Sequence, residues 1–323
     1  MPNSLTPQVP RVYKVQPGDS LYKIAKKFGT TVKSLKTANK LTSDIINIGQ
    51  ILKIPSLTLP EGIYRIGSTG PQVKALQSVL VSFGFSIKVD GIYGSKTASV
   101  ILQLQQKSPP IKADGIYGPK TKASLQTLID INFHLVSNPT DLLVLVNRAN
   151  GLPAEYIPSK LVIPNIPFSF EGYDPKKQMR LEAAQALEQL FAKAKQDNIS
   201  ILGVSGYRSY QRQAQIYATN MEISPTKAQF SAPPGGSEHQ TGLSMDVTSA
   251  SNNYQLSQSF ALTPEGQWLT QNAPAFGFII RYPQGKENIT GYQAEPWHIR
   301  YLGTQVAQLI TQQGLTLEEY LGK

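Results

Sequence analysis

The chain is 323 residues long, 40% hydrophobic and 16% charged, with no cysteine, three histidines and a formal net charge of +10 at pH 7. That length exceeds one ordinary core and asks for about two domains of roughly 150 residues, or more if some are small. The composition is that of a soluble globular chain. Without cysteine there is no disulfide, no zinc–thiolate site and no cysteine nucleophile, so any metal must be held by nitrogen and oxygen. No run of about 18 apolar residues is present, which excludes a transmembrane helix. Residues 1–10 show neither the charged start nor the apolar stretch of a secretory leader. The positive charge is unevenly placed: residues 1–60 carry +7, residues 61–130 carry +4, and residues 131–323 carry −1. A basic front joined to a nearly neutral remainder reads as a targeting part and a working part. Its anionic partner would be nucleic acid, a membrane or an acidic wall polymer. No basic patch interleaved with aromatics supports nucleic acid.

The first segment spans residues 11–56. Val12 to Val15 alternates as a short strand, and Pro17-Gly18-Asp19-Ser20 makes a turn ending in a helix N-cap. Leu21, Ile24, Ala25 and Phe28 follow at helical spacing, with Gly29 as the stop. A second short helix opens at Thr31, and Ile51 to Ile54 forms a second strand closed by Pro55. The stretches Tyr13-Lys14-Val15-Gln16-Pro17-Gly18-Asp19-Ser20-Leu21, Ile24 to Thr31, Ala38-Asn39 and Ile48 to Pro55 resemble a LysM module, a family that binds N-acetylglucosamine-containing glycans such as peptidoglycan. The resemblance implies a βααβ fold. It also implies a glycan site between the loop of Gly18, Asp19, Ser20 and Leu21 and the loop after Asn39.

The second segment, residues 61–130, contains an internal repeat. Asp90-Gly91-Ile92-Tyr93-Gly94-Ser95-Lys96-Thr97 returns as Asp114-Gly115-Ile116-Tyr117-Gly118-Pro119-Lys120-Thr121, 24 residues later. Each copy reads as an Asp-Gly turn running into a helix start, between apolar helical stretches. This pattern resembles the three-helix peptidoglycan-binding domain found at the ends of wall hydrolases. The Asp-Gly pairs themselves read as structural.

From residue 143 to 323 the chain reads as α+β. Helices are expected over Met179–Ala194 and Ser209–Met221, and strands over Ile199–Val204, Leu243–Thr248, Phe276–Tyr282 and Trp297–Leu302. His239 and Asp246 stand seven residues apart across Gly242, where a tight turn would bring the loop histidine beside the strand. On that strand Asp246 points opposite Met245 and Val247, toward a cleft. Glu295 and His298 are three apart with Pro296 between them, which excludes a helical arrangement. Ser205 to Gln213, Gly236 to Val247, Gly277 to Pro283 and Glu295 to Tyr301 occur in this order. Together they resemble the VanY-type D-alanyl-D-alanine carboxypeptidases. Leu145-Val146-Asn147-Arg148 and Leu152-Pro153 resemble the start of that domain.

The resemblance implies a central antiparallel sheet, one Zn2+ ion held by His239, Asp246 and His298, and Glu295 as general base. It implies Arg208 as a group that stabilises an oxyanion or clamps a substrate carboxylate. Gln213 and Ser237 match family positions near the substrate, and Tyr282 and Trp297 line the pocket, with packing as the larger part for Trp297. Glu238, a loop neighbour of His239, is expected to point to solvent, and His134 to be an ordinary surface or linker residue. The function expected is a zinc-dependent hydrolase of peptidoglycan stem peptides that removes the C-terminal D-Ala and is held on the wall by its N-terminal modules. A stem-peptide endopeptidase and a catalytically inactive wall-binding protein are the alternatives. The expected partners are glycan strands, stem peptides and anionic wall polymers, and the expected place is the bacterial cell wall. A mature form, a phage lysin or a protein released by lysis would each fit the lack of a leader.

Overall fold

The computed structural model describes residues 12–28, 32–54, 59–108, 111–130, 133–223 and 231–323. The chain forms two units, residues 1–134 and 135–323. The first contains a βααβ module and a three-helix module.

In the βααβ module, strands β1 (Val12–Lys14) and β2 (Ile51–Lys53) pair antiparallel with Tyr13 opposite Leu52. Helices α1 (Leu21–Lys27) and α2 (Val32–Asn39) pack on them through Val15, Leu21, Ile24, Leu35, Leu52 and Ile54. Ser20 caps α1 by accepting from the Lys23 N–H at 3.2 Å, as its place before the apolar run predicts. Asp19 accepts from the Gln16 N–H and the Tyr13 hydroxyl, both at 2.7 Å, and so ties the turn to β1. Two residues expected at the glycan site also serve the fold of the module. Leu21 is 2% exposed and gives its side chain to the core. The Asn39 amide is engaged by Leu35 O and by both backbone groups of Lys53, where it fastens α2 to β2. Gly29, Thr31 and Pro55 lie outside the described residues.

The three-helix module consists of α3 (Pro71–Ser82), α4 (Ser95–Gln106) and α5 (Pro119–Asp130). Its internal repeat is a hydrogen-bonded cassette. In the first copy the Gln77 amide donates to Asp90 Oδ1, Ile92 O and Thr97 Oγ1, and its carbonyl accepts from the Gly91 N–H. In the second copy Gln105 does the same for Asp114, Ile116, Thr121 and Gly115. The two glutamines are 1% exposed, so every polar atom they carry must be answered from within the protein. Gly91 and Gly115 sit at φ +79° and +72°, the left-handed region that the tight Asp-Gly turn requires. The Asp-Gly pairs are therefore structural, and the glutamines that lock them went unnoticed in the sequence. Gln105→Ala is expected to strand the buried Gly115 N–H and cost about 1–3 kcal/mol. Calorimetry of the full chain should show one transition lowered while that of residues 135–323 stays in place.

The second unit is built on a four-stranded antiparallel sheet in the order β7 (Leu202–Ser205), β8 (Ser244–Thr248), β10 (Glu295–Tyr301), β9 (Phe278–Tyr282). The short strands β3 (His134–Leu135), β4 (Asn150–Gly151), β5 (Leu161–Val162) and β6 (Met179–Arg180) precede it. One sheet face presents Met245, Val247, Phe278 and Ile299 to the apolar stripe of α6 (Leu181–Gln196), namely Ala183, Leu187, Leu190 and Ala194. Met179, expected to open that helix, pairs with Val162 in β6 instead and reaches the same core from the strand. The helix starts later because Arg180 is extended and its N–H donates to Gly242 O at 2.8 Å. At the other end Asn198, at φ +60°, turns the chain out of α6, and the strand expected from Ile199 begins only at Leu202.

Helix α7 (Tyr210–Ile223) follows β7. Further helices are α8 (Pro264–Asn272), α9 (Glu287–Thr290), α10 (Thr304–Gln313) and α11 (Leu317–Tyr320). Phe276 ends a 3-10 turn and Gly277, at φ +84°, delays β9 to Phe278, whereas β10 starts at Glu295, two residues before its expected beginning. The opposite sheet face carries the polar residues of β8, β10 and β9. Leu145, Ile279, Leu302, Ala307, Ile310 and Leu317 form a second apolar cluster there. All five residues of β8 are consequently buried. Among the described residues no helix is long and apolar enough to cross a membrane.

Candidate active site

The site grows from the pairing of β8 with β10. Their register sets His298 opposite Asp246 and Arg300 opposite Ser244. Side chains of directly opposed residues share a face and lie close. Met245, Val247 and Ile299 point the other way into the core, so the alternation that buries them delivers Asp246 and His298 together on the polar face. His298 Nδ1 lies 2.8 Å from Asp246 Oδ1. His239 joins them from a 3-10 turn, Glu238–Thr241, which ends at Gly242 in the left-handed conformation (φ +68°). A Cβ there would also meet Leu161 and the Arg180 side chain at 3.1–3.2 Å. The turn returns the chain so that His239 Nε2 stands 3.3 Å from Asp246 Oδ2. One ligand atom from each of His239, Asp246 and His298 lies within 4.8 Å of the others, and all three residues are buried.

Two irregularities complete the cavity. Along β10 the register slips between Glu295 and Ile299, so that four steps are set against the two from Tyr282 to Ile280 on β9. In a regular strand Glu295 and His298, three residues apart, would face opposite sides. The irregularity lets both line one cavity, and Pro296 sits within it, where no ladder N–H is required. A second slip, between Gly203 and Ser205 on β7, brings Ser205 opposite Asp246 and sends the chain on to Arg208. The Arg208 backbone N–H donates to His239 O at 3.1 Å, joining the two loops.

The cavity measures about 150 Å³. The residues expected at the metal and in catalysis, Arg208, His239, Asp246, Glu295 and His298, line it together. So do Gln213, Ser237, Tyr282 and Trp297, expected near the substrate. Trp297 also packs on the apolar core. Gln213 is less a free substrate contact than a bridge: its Oε1 accepts from Arg208 Nη1 at 3.0 Å and its Nε2 donates to Ala232 O at 2.6 Å. Ser205 Oγ accepts from Arg208 Nη2 at 3.2 Å. Gly18, Asp19, Ser20, Leu21 and Asn39 belong to the βααβ module and take no part here. His134 is exposed and lies outside the cavity.

Charge is distributed unevenly around these groups. Burial pushes the Glu295 carboxyl up to about 7, Asp246 and Glu238 add to the rise, and His298 and Arg208 oppose it. Burial also lowers the His239 pKa. Its Nδ1 lies 2.7 Å from Gly206 O, an acceptor only, so Nδ1 carries the proton and Nε2 turns a lone pair to Asp246. For His298 burial disfavours charge, but Asp246, Glu238 and Glu295 together outweigh it and push the ring up to about 9. Burial likewise works against the Asp246 carboxylate, yet His239 and His298 hold it well below the usual range. Surroundings that favour a proton between Asp246 and His298 favour a metal cation there as well.

Glu238 corrects the expectation of a solvent-facing side chain. It is 1% exposed, and its Oε1 accepts from Arg281 Nε at 2.7 Å and Arg300 Nη1 at 2.6 Å. Burial alone would raise its pKa, but Arg281 and then Arg300 hold it well below the ordinary carboxylate range. Arg281 and Arg300 are both fully buried. The signal was present in Phe-Ile-Ile-Arg-Tyr and His-Ile-Arg-Tyr: an arginine at an inward position of a strand needs a buried acid, though sequence alone does not say which.

Comparison with known proteins gives this geometry a lineage. A D-alanyl-D-alanine carboxypeptidase (VanY) family model matches residues 176–304, a LysM domain model residues 13–55, and a putative peptidoglycan binding domain model residues 69–125. The chain is 42% identical over 235 residues to the putative carboxypeptidase YodJ of Bacillus subtilis, covering 71% of this chain and 86% of the relative. It is 34% identical over 190 residues to a D-alanyl-D-alanine carboxypeptidase of Enterococcus faecalis, covering 55% of this chain and 65% of that one. The solved structure of the LdcB LD-carboxypeptidase is similar at 47% identity with a TM-score of 0.57, over 59% of this chain and 90% of LdcB. A sheet that sets His298 against Asp246, a turn that returns His239 to them and two N-terminal modules matched by wall-binding models thus go with extended sequence identity, and the chain belongs to the VanY family of D-alanyl-D-alanine carboxypeptidases.

Proposed function

We propose that the chain is a zinc-dependent carboxypeptidase that removes the C-terminal D-Ala from peptidoglycan stem peptides. The observation that carries this reading is the cluster of His239, Asp246 and His298 donor atoms, buried beside Glu295 in one cavity. Two imidazoles and a carboxylate form a donor set suited to zinc in a catalytic site, where three protein ligands leave room for water and substrate. His239 Nε2 and Asp246 Oδ2 face each other at 3.3 Å with a lone pair on each, an arrangement that a cation between them relieves. When bound, the ion polarises the scissile carbonyl and lowers the pKa of the attacking water.

The chain's own residues do the rest. Glu295, pushed up to about 7 by burial, is poised to take a proton from the attacking water and return it to the leaving amine. A nearby divalent cation would draw that pKa down and favour the basic form. Arg208, held by Gln213 and Ser205, offers a planar fork to the terminal carboxylate of the stem or to the developing oxyanion. Ser237 and Tyr282 offer hydroxyls at the cavity wall, and Trp297 closes it with an apolar surface. Residues 11–56 and 61–130 form the wall-binding modules and residues 143–323 the catalytic domain. Gly18, Asp19 and Ser20 present the glycan-facing loop of the first module. Anionic wall polymers add a nonspecific attraction to the basic front of the chain.

A second reading has its own support. The likeness to the LdcB LD-carboxypeptidase favours cleavage after the third stem residue, between L-Lys and D-Ala. Purified pentapeptide and tetrapeptide stems, digested and weighed by mass spectrometry, separate the two. Loss of one D-Ala from the pentapeptide alone supports the DD reading, and loss from the tetrapeptide the LD reading. An interior cut excludes both.

Glu295→Gln is expected to lower kcat about 10²–10⁴-fold, the usual range for a general base, with zinc content unchanged. Equal turnover by the variant removes Glu295 from that role. Dialysis against a chelator should abolish cleavage, and stoichiometric zinc should restore it. In a sedimentation assay, retention on purified wall should weaken as salt rises from 0.05 to 0.5 M, about one to two Debye-length halvings, if the +7 and +4 of the first two segments contribute.

A further inference from the structure

Glu238 is a buried acid that the reaction outlined above does not use. Its two oxygens are engaged differently. Oε1 is saturated by Arg281 Nε and Arg300 Nη1. Oε2 accepts only from Ser244 Oγ, at 3.3 Å, and stands 3.6 Å from His298 Nε2. That nitrogen is buried and has no hydrogen-bond partner. The other ring nitrogen of His298, Nδ1, is turned to Asp246 at 2.8 Å.

A neutral imidazole that ligates through Nδ1 must carry its proton on Nε2. Left unanswered in the interior, that N–H would cost a full desolvation penalty. Oε2 of Glu238 is on the right side of the ring with a lone pair to spare, and a small rotation of ring or carboxylate closes the distance. The two histidines thus differ in a definite way. His239 turns Nε2 inward with its Nδ1–H on a neutral carbonyl, Gly206 O. His298 turns Nδ1 inward with its Nε2 toward a carboxylate. An acid behind a ligating imidazole fixes its tautomer and raises its basicity.

The acid is itself held. Arg281 completes its fork on Glu318 of α11, with Nη1 to Oε2 at 2.9 Å and Nη2 to Oε1 at 2.7 Å. Arg300 is pinned by the carbonyls of Leu142 and Val144, both at 2.9 Å. Asn147 Nδ2 donates to Glu318 Oε1 at 3.3 Å. The carboxylate of Glu238 therefore has little freedom to turn away.

We propose that Glu238 is a positioning residue that accepts the Nε2–H of His298, so that Nδ1 is the atom given to the metal, with Arg281, Arg300 and Glu318 holding Glu238 in place. The inference rests on the zinc reading above and extends it to a residue outside the donor triad of His239, Asp246 and His298. A purely structural Glu238, serving only to neutralise two buried arginines, would be indifferent to which nitrogen of His298 bears the proton.

The test uses the full chain loaded with zinc and labelled with nitrogen-15 at histidine, of which there are three. Long-range proton–nitrogen spectra should show His298 metallated at Nδ1, with a slowly exchanging proton on Nε2. Glu238→Gln keeps the shape and an acceptor for the arginines but can turn an NH2 toward that proton. It should weaken zinc binding about 10–100-fold in competition with a chelator and abolish the protected Nε2–H signal. Glu238→Asp should recover part of both. The inference is overturned if His298 binds zinc through Nε2, if its Nε2–H exchanges as freely as an exposed imidazole, or if Glu238→Gln retains wild-type affinity and signal. Should Glu238→Gln not fold, the wild-type spectrum decides alone. A wild-type chain that takes up no zinc removes the zinc reading and this inference together, whereas zinc held through His298 Nε2 removes the inference only.

Discussion

The register between β8 and β10 is the constraint from which the rest of the catalytic unit follows. It is set by burial, since Met245, Val247 and Ile299 are fully enclosed between the sheet and α6. Because side chains alternate along a strand, a slip of one residue would expose this apolar set and carry Asp246 or His298 away from its partner. The core and the site are thus two faces of one choice. The hydrophobic effect that folds the sheet already brings the histidine and the aspartate to the same place.

The polar face meets the opposite difficulty. Two arginines and two glutamates lie enclosed on it, and taking such groups out of water costs several kcal/mol per ion before pairing offsets it. Buried ion pairs are weak evidence for stability, and a well-packed apolar substitute often does as well. What such a substitute lacks is direction. Oε1 of Glu238 receives two guanidinium N–H groups from strands β9 and β10, so the carboxylate plane is fixed relative to the same sheet that carries His298. The ionic cluster and the donor triad are therefore parts of one rigid assembly.

Much of the site was legible in the sequence because it is locally written. His239 and Asp246 are separated by one turn whose glycine is named, and Glu295 and His298 by one proline. The segments around them carry the family resemblance. What sequence reading missed is long-range. Glu238 finds Arg281 and Arg300 at separations of 43 and 62 residues, and Arg281 finds Glu318 at 37. Nothing near Glu238 marks it as buried, and as the neighbour of a loop histidine it read as solvated. The shared facing of Glu295 and His298 depends on an irregularity that no periodicity announces. In the first unit, Leu21 and Asn39 lie within the recognisable LysM text, but the text does not distinguish a residue that builds the loop from one that the loop presents. Element ends moved by a few residues where a backbone hydrogen bond, as at Arg180, or a left-handed residue, as at Asn198, took precedence over side-chain pattern.

Helix α4 gives the three-helix module a property of its own. Its first turn supplies Thr97 to the cassette closed by Gln77, and its last turn supplies Gln105 to the cassette closed with Asp114 and Thr121. The two copies of the repeat overlap in this one helix and have no boundary between them. Opening either turn withdraws support from an end of α4, and through it from the other turn. A duplicated motif ordinarily invites piecemeal gain and loss of copies, as in stacked repeat proteins. Here the shared helix couples the two copies, so the module is expected to melt as a single piece.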